Sequence, residues 1–208
     1  SSSITEQSEE SLEALSIQSA KLVESRIENL RRTLDTIAMR DDIRQGSWVS
    51  QQFILRKLVE ETDFVELGIM LPDGTLNYSG GRILQVQESD PIRAALTGDK
   101  TAHKFGISPA TKELVLGLAT PIVKDGKVIG ALYGRGDGTV LSNLASDIKY
   151  GDKGYGYILD NEGVVIGHPD IDNVLNQFNA FEAQEENPEF KSMADLNTKI
   201  FEEKSGVS

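Results

Sequence analysis

The 208-residue chain carries 21 Lys and Arg against 33 Asp and Glu, a formal charge of −12, and no cysteine. The charge speaks against a phosphate-rich partner such as nucleic acid, and the missing cysteines remove thiol catalysis, disulfides and thiolate metal sites. Two histidines, His103 and His168, make no His-rich metal centre, no cofactor is indicated, and no run nears the roughly 20 apolar residues of a membrane span.

The length exceeds one minimal domain and falls short of two at about 150 residues each, so one elongated unit or two small modules is expected. Residues 4–40 contain neither proline nor glycine, and Val23, Ile27, Leu30, Leu34 and Ile37 step by four, three, four and three. That heptad stripe predicts one long helix, roughly 55 Å at 1.5 Å per residue, longer than a compact domain of this size is wide. Its second half is read as a core helix. Residues 4–20, polar all round near Ser8 to Ser11, offer little to bury and are read as a dimer stalk. A second helix is expected near Val49 to Glu61, where Trp48, Gln52 and Leu55 begin a stripe that Val59 continues.

Phe64 to Ser79 reads FVELGIMLPDGTLNYS, an apolar strand, a Pro-Asp-Gly turn and a second strand. Tyr155 to His168 reads YGYILDNEGVVIGH and repeats the pattern, with Gly68 matching Gly156, Leu71 matching Leu159 and Gly74 matching Gly163 if the second copy has one extra turn residue. The likeness suggests a duplicated module. Between the copies lie a short helix, Pro91 to Leu96, and a hairpin from Glu113 to Arg135 that turns at Lys124 to Lys127, for five strands in the first module. Alternation along its last strand places Ile129, Ala131, Tyr133 and Arg135 on one face and Val128, Gly130, Leu132 and Gly134 on the other.

Thr139 to Ile148 reads as a connecting helix closed by Gly151. Helical stretches follow the second hairpin near Ile171 to Phe178 and Pro188 to Lys204, the latter with Met193, Leu196 and Ile200 on one side. No strands remain to complete a second sheet, so that module is expected to be incomplete. The acidic run Glu182 to Glu189 lacks an alternating Asp ladder and reads as a solvated loop, not a calcium site.

At this point the chain resembles a family, the double Cache extracytoplasmic sensor domains of bacterial transmembrane receptors. Three segments carry the likeness: GDKGYGYILDNEGVVIGHPD, Gly151 to Asp170; ATPIVKDGKVIGALYGR, Ala119 to Arg135; and AALTGDK, Ala94 to Lys100. The resemblance implies an α+β fold: a long N-terminal helix and two tandem PAS-like modules with antiparallel sheets. Its divisions would be a stalk and second helix over 1–62, a membrane-distal module over 63–138, a connecting helix over 139–150 and a membrane-proximal module over 151–208. It also implies a non-enzymatic sensing fragment on the extracytoplasmic side of the cell membrane, held by flanking transmembrane helices, with a possible homodimer through the first helix. The output half would be a diguanylate cyclase, a chemoreceptor signalling region or a histidine kinase.

Members of the family that bind amino acids have an Arg closely followed by Trp and Tyr, then a later Tyr and Asp; here Arg82 is followed by Ile83 and Leu84. The aromatic pair is missing, which argues against an amino-acid ligand. Asp137 stands near the end of the last distal strand, where the family's amine-binding Asp is expected, with a glycine inserted at Gly136.

A small-ligand site needs an apolar cavity and a few converging polar groups. The candidates are Tyr78, Arg82, Arg93, Phe105, Tyr133, Arg135 and Asp137, facing an organic acid, amino acid or amine. Tyr133 and Arg135 share a strand face, and Gly80-Gly81 lets backbone approach a ligand between Tyr78 and Arg82. An arginine would suit a carboxylate through two parallel hydrogen bonds. His168, beside Pro169 at a strand end, reads as a turn cap. Two rival functions are a coiled-coil dimerisation module without ligand and a hydrolase using carboxylates such as Asp137 and Asp160, although no nucleophile-and-base motif or phosphate loop is present.

Overall fold

The computed structural model describes residues 21–205 except 23, 108–113, 148, 151–153 and 161. The stalk expected over 4–20, the end of the connecting helix at Ile148 and its closing Gly151 lie outside the described residues. Two compact units divide the chain, one spanning Lys21–Gly138 and the other containing everything from Thr139.

The first unit is built on a six-stranded sheet in the order β3-β2-β1-β6-β5-β4, antiparallel at every pairing. Its strands are β1 (Phe64–Met70), β2 (Thr75–Tyr78), β3 (Ile83–Gln85), β4 (His103–Ile107), β5 (Leu114–Lys124) and β6 (Lys127–Asp137). That is one strand more than the five expected. The edge strand β3 is exposed along its length, so it has no buried face for the sequence to display.

Helices cover one face of this sheet. They are α1, residues 24–38, α2 (Asp41–Arg44) and α3 (Trp48–Glu61), the last opened by Ser47, whose side chain accepts from the Ser50 amide. Leu34, Ile37 and Leu55 pack with Leu67, Ile69, Leu116, Leu118 and Leu132, while Ile27 and Leu30 lie partly buried at the margin. The described part of the heptad stripe is therefore a core stripe. Each fully buried Leu or Ile contributes about 1.5–3 kcal/mol relative to exposure. Two polar ties fix the same helix: Arg31 donates to the Lys100 carbonyl at 2.7 Å, and the Thr120 hydroxyl donates to Asp35 at 2.5 Å.

A 3₁₀ helix, Pro91–Thr97, covers part of the opposite face. Asp90 caps its start by accepting from the Ile92 amide, and Gly98 ends it in the left-handed region at φ 102°. Its Ile92 and Ala95 pack onto Met70, Leu76, Ala119 and Ala131 of the sheet, together with Tyr78 and Tyr133.

The second unit holds α4 (Thr139–Asp147), two two-stranded sheets formed by β7 (Lys149–Tyr150) with β8 (Gly154–Tyr155) and by β9 (Ile158–Leu159) with β10 (Val165–Gly167), then α5 (Ile171–Leu175), α6 (Ala180–Glu186) and α7 (Lys191–Ser205). The acidic run read as a loop begins inside α6. Asn179 caps that helix by accepting from the Phe181 amide, and its Ala and Glu residues are good helix formers. On α7 the buried face is Ala194 and Asn197, with Leu196 and Ile200 exposed, so the expected Met193-Leu196-Ile200 stripe is rotated from the core. Asn197 is buried because its side-chain oxygen accepts from the Tyr157 hydroxyl at 2.8 Å.

The two similar hairpins turn alike. The Leu71 amide donates to Thr75 and the Gly74 amide to Leu71; likewise the Asp160 amide donates to Val164 and the Gly163 amide to Asp160. Gly74 and Gly163 both take positive φ, 88° and 85°, which a side chain resists. Leu71 therefore corresponds to Asp160 and not to Leu159: the turns have equal length, and the offset lies in the preceding strand.

Candidate functional site

Cross-strand register assembles a polar cluster on the sheet face away from the helices. In an antiparallel pair, residues opposite each other share a face. Gly68 of β1 lies opposite Tyr78 on one side and Tyr133 on the other, and Glu66 lies opposite Arg135. Gly68 carries no side chain, so the two tyrosine rings meet above it edge to face, with centroids 5.7 Å apart at 89°. Gly117 across from Arg135 serves the same end, because a Cβ there would lie 3.0 Å from the Tyr133 ring.

The arginines complete the cluster. The Arg82 guanidinium lies 4.0 Å from the centre of the Tyr78 ring and donates to Glu66 Oε2 at 2.9 Å. Arg135 Nε stands 3.4 Å from the same oxygen. Burial pushes both phenols up from their usual range; for Tyr78 the Arg82 charge opposes that shift, and for Tyr133 the nearby Tyr78 adds to it. Both rings therefore remain neutral hydrogen-bonding groups at physiological pH.

Beside the cluster lies a concavity of about 360 Å³ lined by Arg56, Val59, Glu60, Val65, Glu66, Ser79, Gly80 and Arg135. Arg56 Nε and the Gln52 side-chain amide both donate to the Ser79 carbonyl, at 2.7 and 3.1 Å, and so tie α3 to the end of β2.

Of the seven candidates, the structure brings together Tyr78, Arg82, Tyr133 and Arg135. Asp137 is exposed two residues further along the same face of β6, opposite Val115. Arg93 stands elsewhere: it donates to the Val86 carbonyl at 3.0 Å and sits against Gly74 at the β1–β2 turn, the far end of β1 from Glu66. Phe105 is opposite Leu116 and packs into the helix-side core, on the other face of the sheet. Its aromatic character gave no clue to its face. Sequence reasoning missed Glu66, which meets both arginines, and Arg56, which lines the concavity with Glu66 and Arg135.

In the second unit His168 is buried, and its Nδ1 accepts from the Asp170 amide at 2.9 Å, as expected of a turn cap. Among the described residues no group of three or more His, Asp or Glu is placed to hold a metal ion. Nor is any described helix long and apolar enough to cross a membrane.

A double Cache family model, described as a Cache domain, matches residues 1–206. The chain belongs to the Cache domain family. Its sequence is 26% identical over 155 residues to the methyl-accepting chemotaxis protein PctB of Pseudomonas aeruginosa, a match covering 72% of this chain and 23% of that protein. The chain thus spans about a quarter of that curated relative's length. Among solved structures, this Cache domain resembles the PctB ligand-binding domain in complex with L-Arg, at TM-score 0.60 and 22% identity, covering 74% of this chain and 68% of that one. It also resembles the ligand-binding domain of Pseudomonas fluorescens chemoreceptor CtaA in complex with L-alanine, at TM-score 0.66 and 16% identity over 85% and 76% of the chains. A third likeness is the sensory domain of Campylobacter jejuni chemoreceptor Tlp3 with isoleucine bound, at TM-score 0.60 and 18% identity over 83% and 76%. These identities establish the fold, an α+β Cache architecture of helix followed by antiparallel sheet.

Proposed function

We propose that this Cache domain is the extracytoplasmic sensing part of a bacterial membrane receptor, and that it binds a small carboxylate-bearing molecule beside Tyr78, Arg82, Tyr133 and Arg135. The observation that carries the reading is the convergence of Arg82 and Arg135 on one oxygen, at 2.9 and 3.4 Å, at the edge of the concavity. Two guanidiniums aimed at one point, backed by two neutral phenols, recognise a carboxylate. Residues 21–138 would be the membrane-distal ligand-binding module and the unit from Thr139 the membrane-proximal one, with flanking membrane helices and an output domain such as a chemoreceptor signalling region or diguanylate cyclase beyond them. Binding signals only if the ligand prefers one of two conformations.

The relatives named above are solved with amino acids, which keeps an amino acid among the candidates beside organic acids; the absence of the family's aromatic pair after Arg82 favours the latter. The hydrolase alternative has no nucleophile-and-base motif or phosphate loop behind it. The test is a thermal-shift screen of organic acids, amino acids and amines against the chain and its Arg135→Gln variant. A ligand at hundredfold excess over its Kd adds about 2.7 kcal/mol, a rise of several degrees. A ligand that stabilises both proteins equally would remove this site from the proposal.

A further inference from the structure

Glu66 stands where a ligand carboxylate would go. Its Oε2 takes both arginine contacts, at 2.9 Å from Arg82 and 3.4 Å from Arg135, and its side chain is only 16% exposed. The cations are anchored without it: Arg82 lies against the Tyr78 ring at 4.0 Å, and Arg135 sits on β6 between two paired strands. Glu66 comes from the one irregular point of β1, where the pairing with β6 shifts between Phe64 and Glu66. A bulge re-aims a side chain and loosens the ladder locally. The concavity beside it offers room, and Arg56 on its lining is a counter-charge for a carboxylate that turns that way.

We propose that Glu66 is a built-in counter-ion and the specificity-determining residue of this site, one that an incoming ligand carboxylate must displace from Arg82 and Arg135. The proposal rests on the carboxylate reading of the site given above and adds a selection rule. Arg56, Arg82 and Arg135 face Glu60 and Glu66, a surplus of one positive charge in a chain whose net charge is −12. The site therefore favours anions over cations, and Glu66 raises the threshold so that only carboxylates with further contacts displace it.

Titration calorimetry of the chain and its Glu66→Gln variant with pyruvate, succinate and putrescine tests this. Removing a like charge within a few ångströms should tighten pyruvate and succinate roughly tenfold or more, with no gain for putrescine. Equal or weaker carboxylate binding by the variant, or none to either protein, overturns the displacement. Binding to wild type that survives Arg135→Gln unchanged overturns the site reading instead. Should Glu66→Gln fail to fold, a wild-type crystal soaked in succinate decides. Succinate between Arg82 and Arg135 with Glu66 turned away supports the proposal, and Glu66 still paired to both arginines refutes it.

Discussion

The two faces of the six-stranded sheet are made by the same strands and differ in almost every packing respect. Toward α1 and α3 the strands present Leu67, Ile69, Leu116, Leu118 and Leu132, large aliphatic groups that fill the space to the helices. Toward the other side the alternate positions are Gly68, Gly117, Ala119 and Ala131, with Tyr78, Tyr133, Arg135 and Glu66 rising between them. One face is a close-packed core that resists change in volume. The other packs Met70, Leu76, Ala119 and Ala131 against the 3₁₀ helix at one end and collects the charged Glu66 and Arg135 at the other. The difference teaches that the larger aliphatic core and the proposed ligand site draw on opposite faces of the same strands, not on separate segments.

The sharpest way to break that comparison is a large-to-small change on the helix face. Leu132 is fully buried there, and Leu132→Ala should lower stability by about 2–5 kcal/mol in urea melts. Ligand affinity per folded molecule should be unaffected. A comparable loss of affinity would mean the faces are coupled.

Adding one methyl group to each face sharpens it further. A Cβ on Gly134 would meet the Phe64 ring at 2.5 Å and Leu34 at 2.9 Å, both held in the core. Gly134→Ala should therefore cost about 1–3 kcal/mol by overpacking. On the face proposed to bind ligand, a Cβ on Gly117 meets Tyr133 at 3.0 Å, a contact that a shift of a few tenths of an ångström relieves. Gly117→Ala should cost under about 1 kcal/mol, yet it moves the Tyr133 ring and weakens any ligand seated against it. Calorimetry beside denaturant melts separates the two variants, and equal costs would contradict the contrast.

How much of this was legible in the sequence follows from the same geometry. The alternation Ala131, Tyr133, Arg135 was readable because β6 keeps strict period-2 spacing there, and the helix stripe through Leu34 and Ile37 because its period is helical. Phe105 was misplaced because its face depends on its register with Leu116, which no local pattern records. Glu66 was hidden by the bulge. Strict alternation puts Phe64 and Glu66 on one face, whereas Phe64 is buried in the helix-side core and Glu66 reaches the arginines. Arg56 was hidden because its role depends on where α3 ends against β2, a tertiary fact. α6 was missed for a simpler reason: attention to its charge obscured an Asn cap followed by good helix formers.

The smallest expected effect concerns the buried phenol. Tyr133 is only 6% exposed, and burial, followed by the proximity of Tyr78, pushes its ionisation well above the ordinary value. Its folded-state value being raised, the neutral form is favoured in the native state. The corresponding stability is fully present below the unfolded phenol's value of about 10 and is lost as pH rises through the folded value, because the unfolded chain releases its proton first. Wild type should therefore lose stability progressively above pH ~10, whereas Tyr133→Phe, with no proton to release, should show a shallower decline over the same range. Tyr78 is raised in the same direction, so the slope is reduced and not abolished. Urea melts at a series of alkaline pH values read the difference. Identical slopes would mean that the Tyr133 hydroxyl reaches water, and that this face of the sheet is wetter than its packing implies.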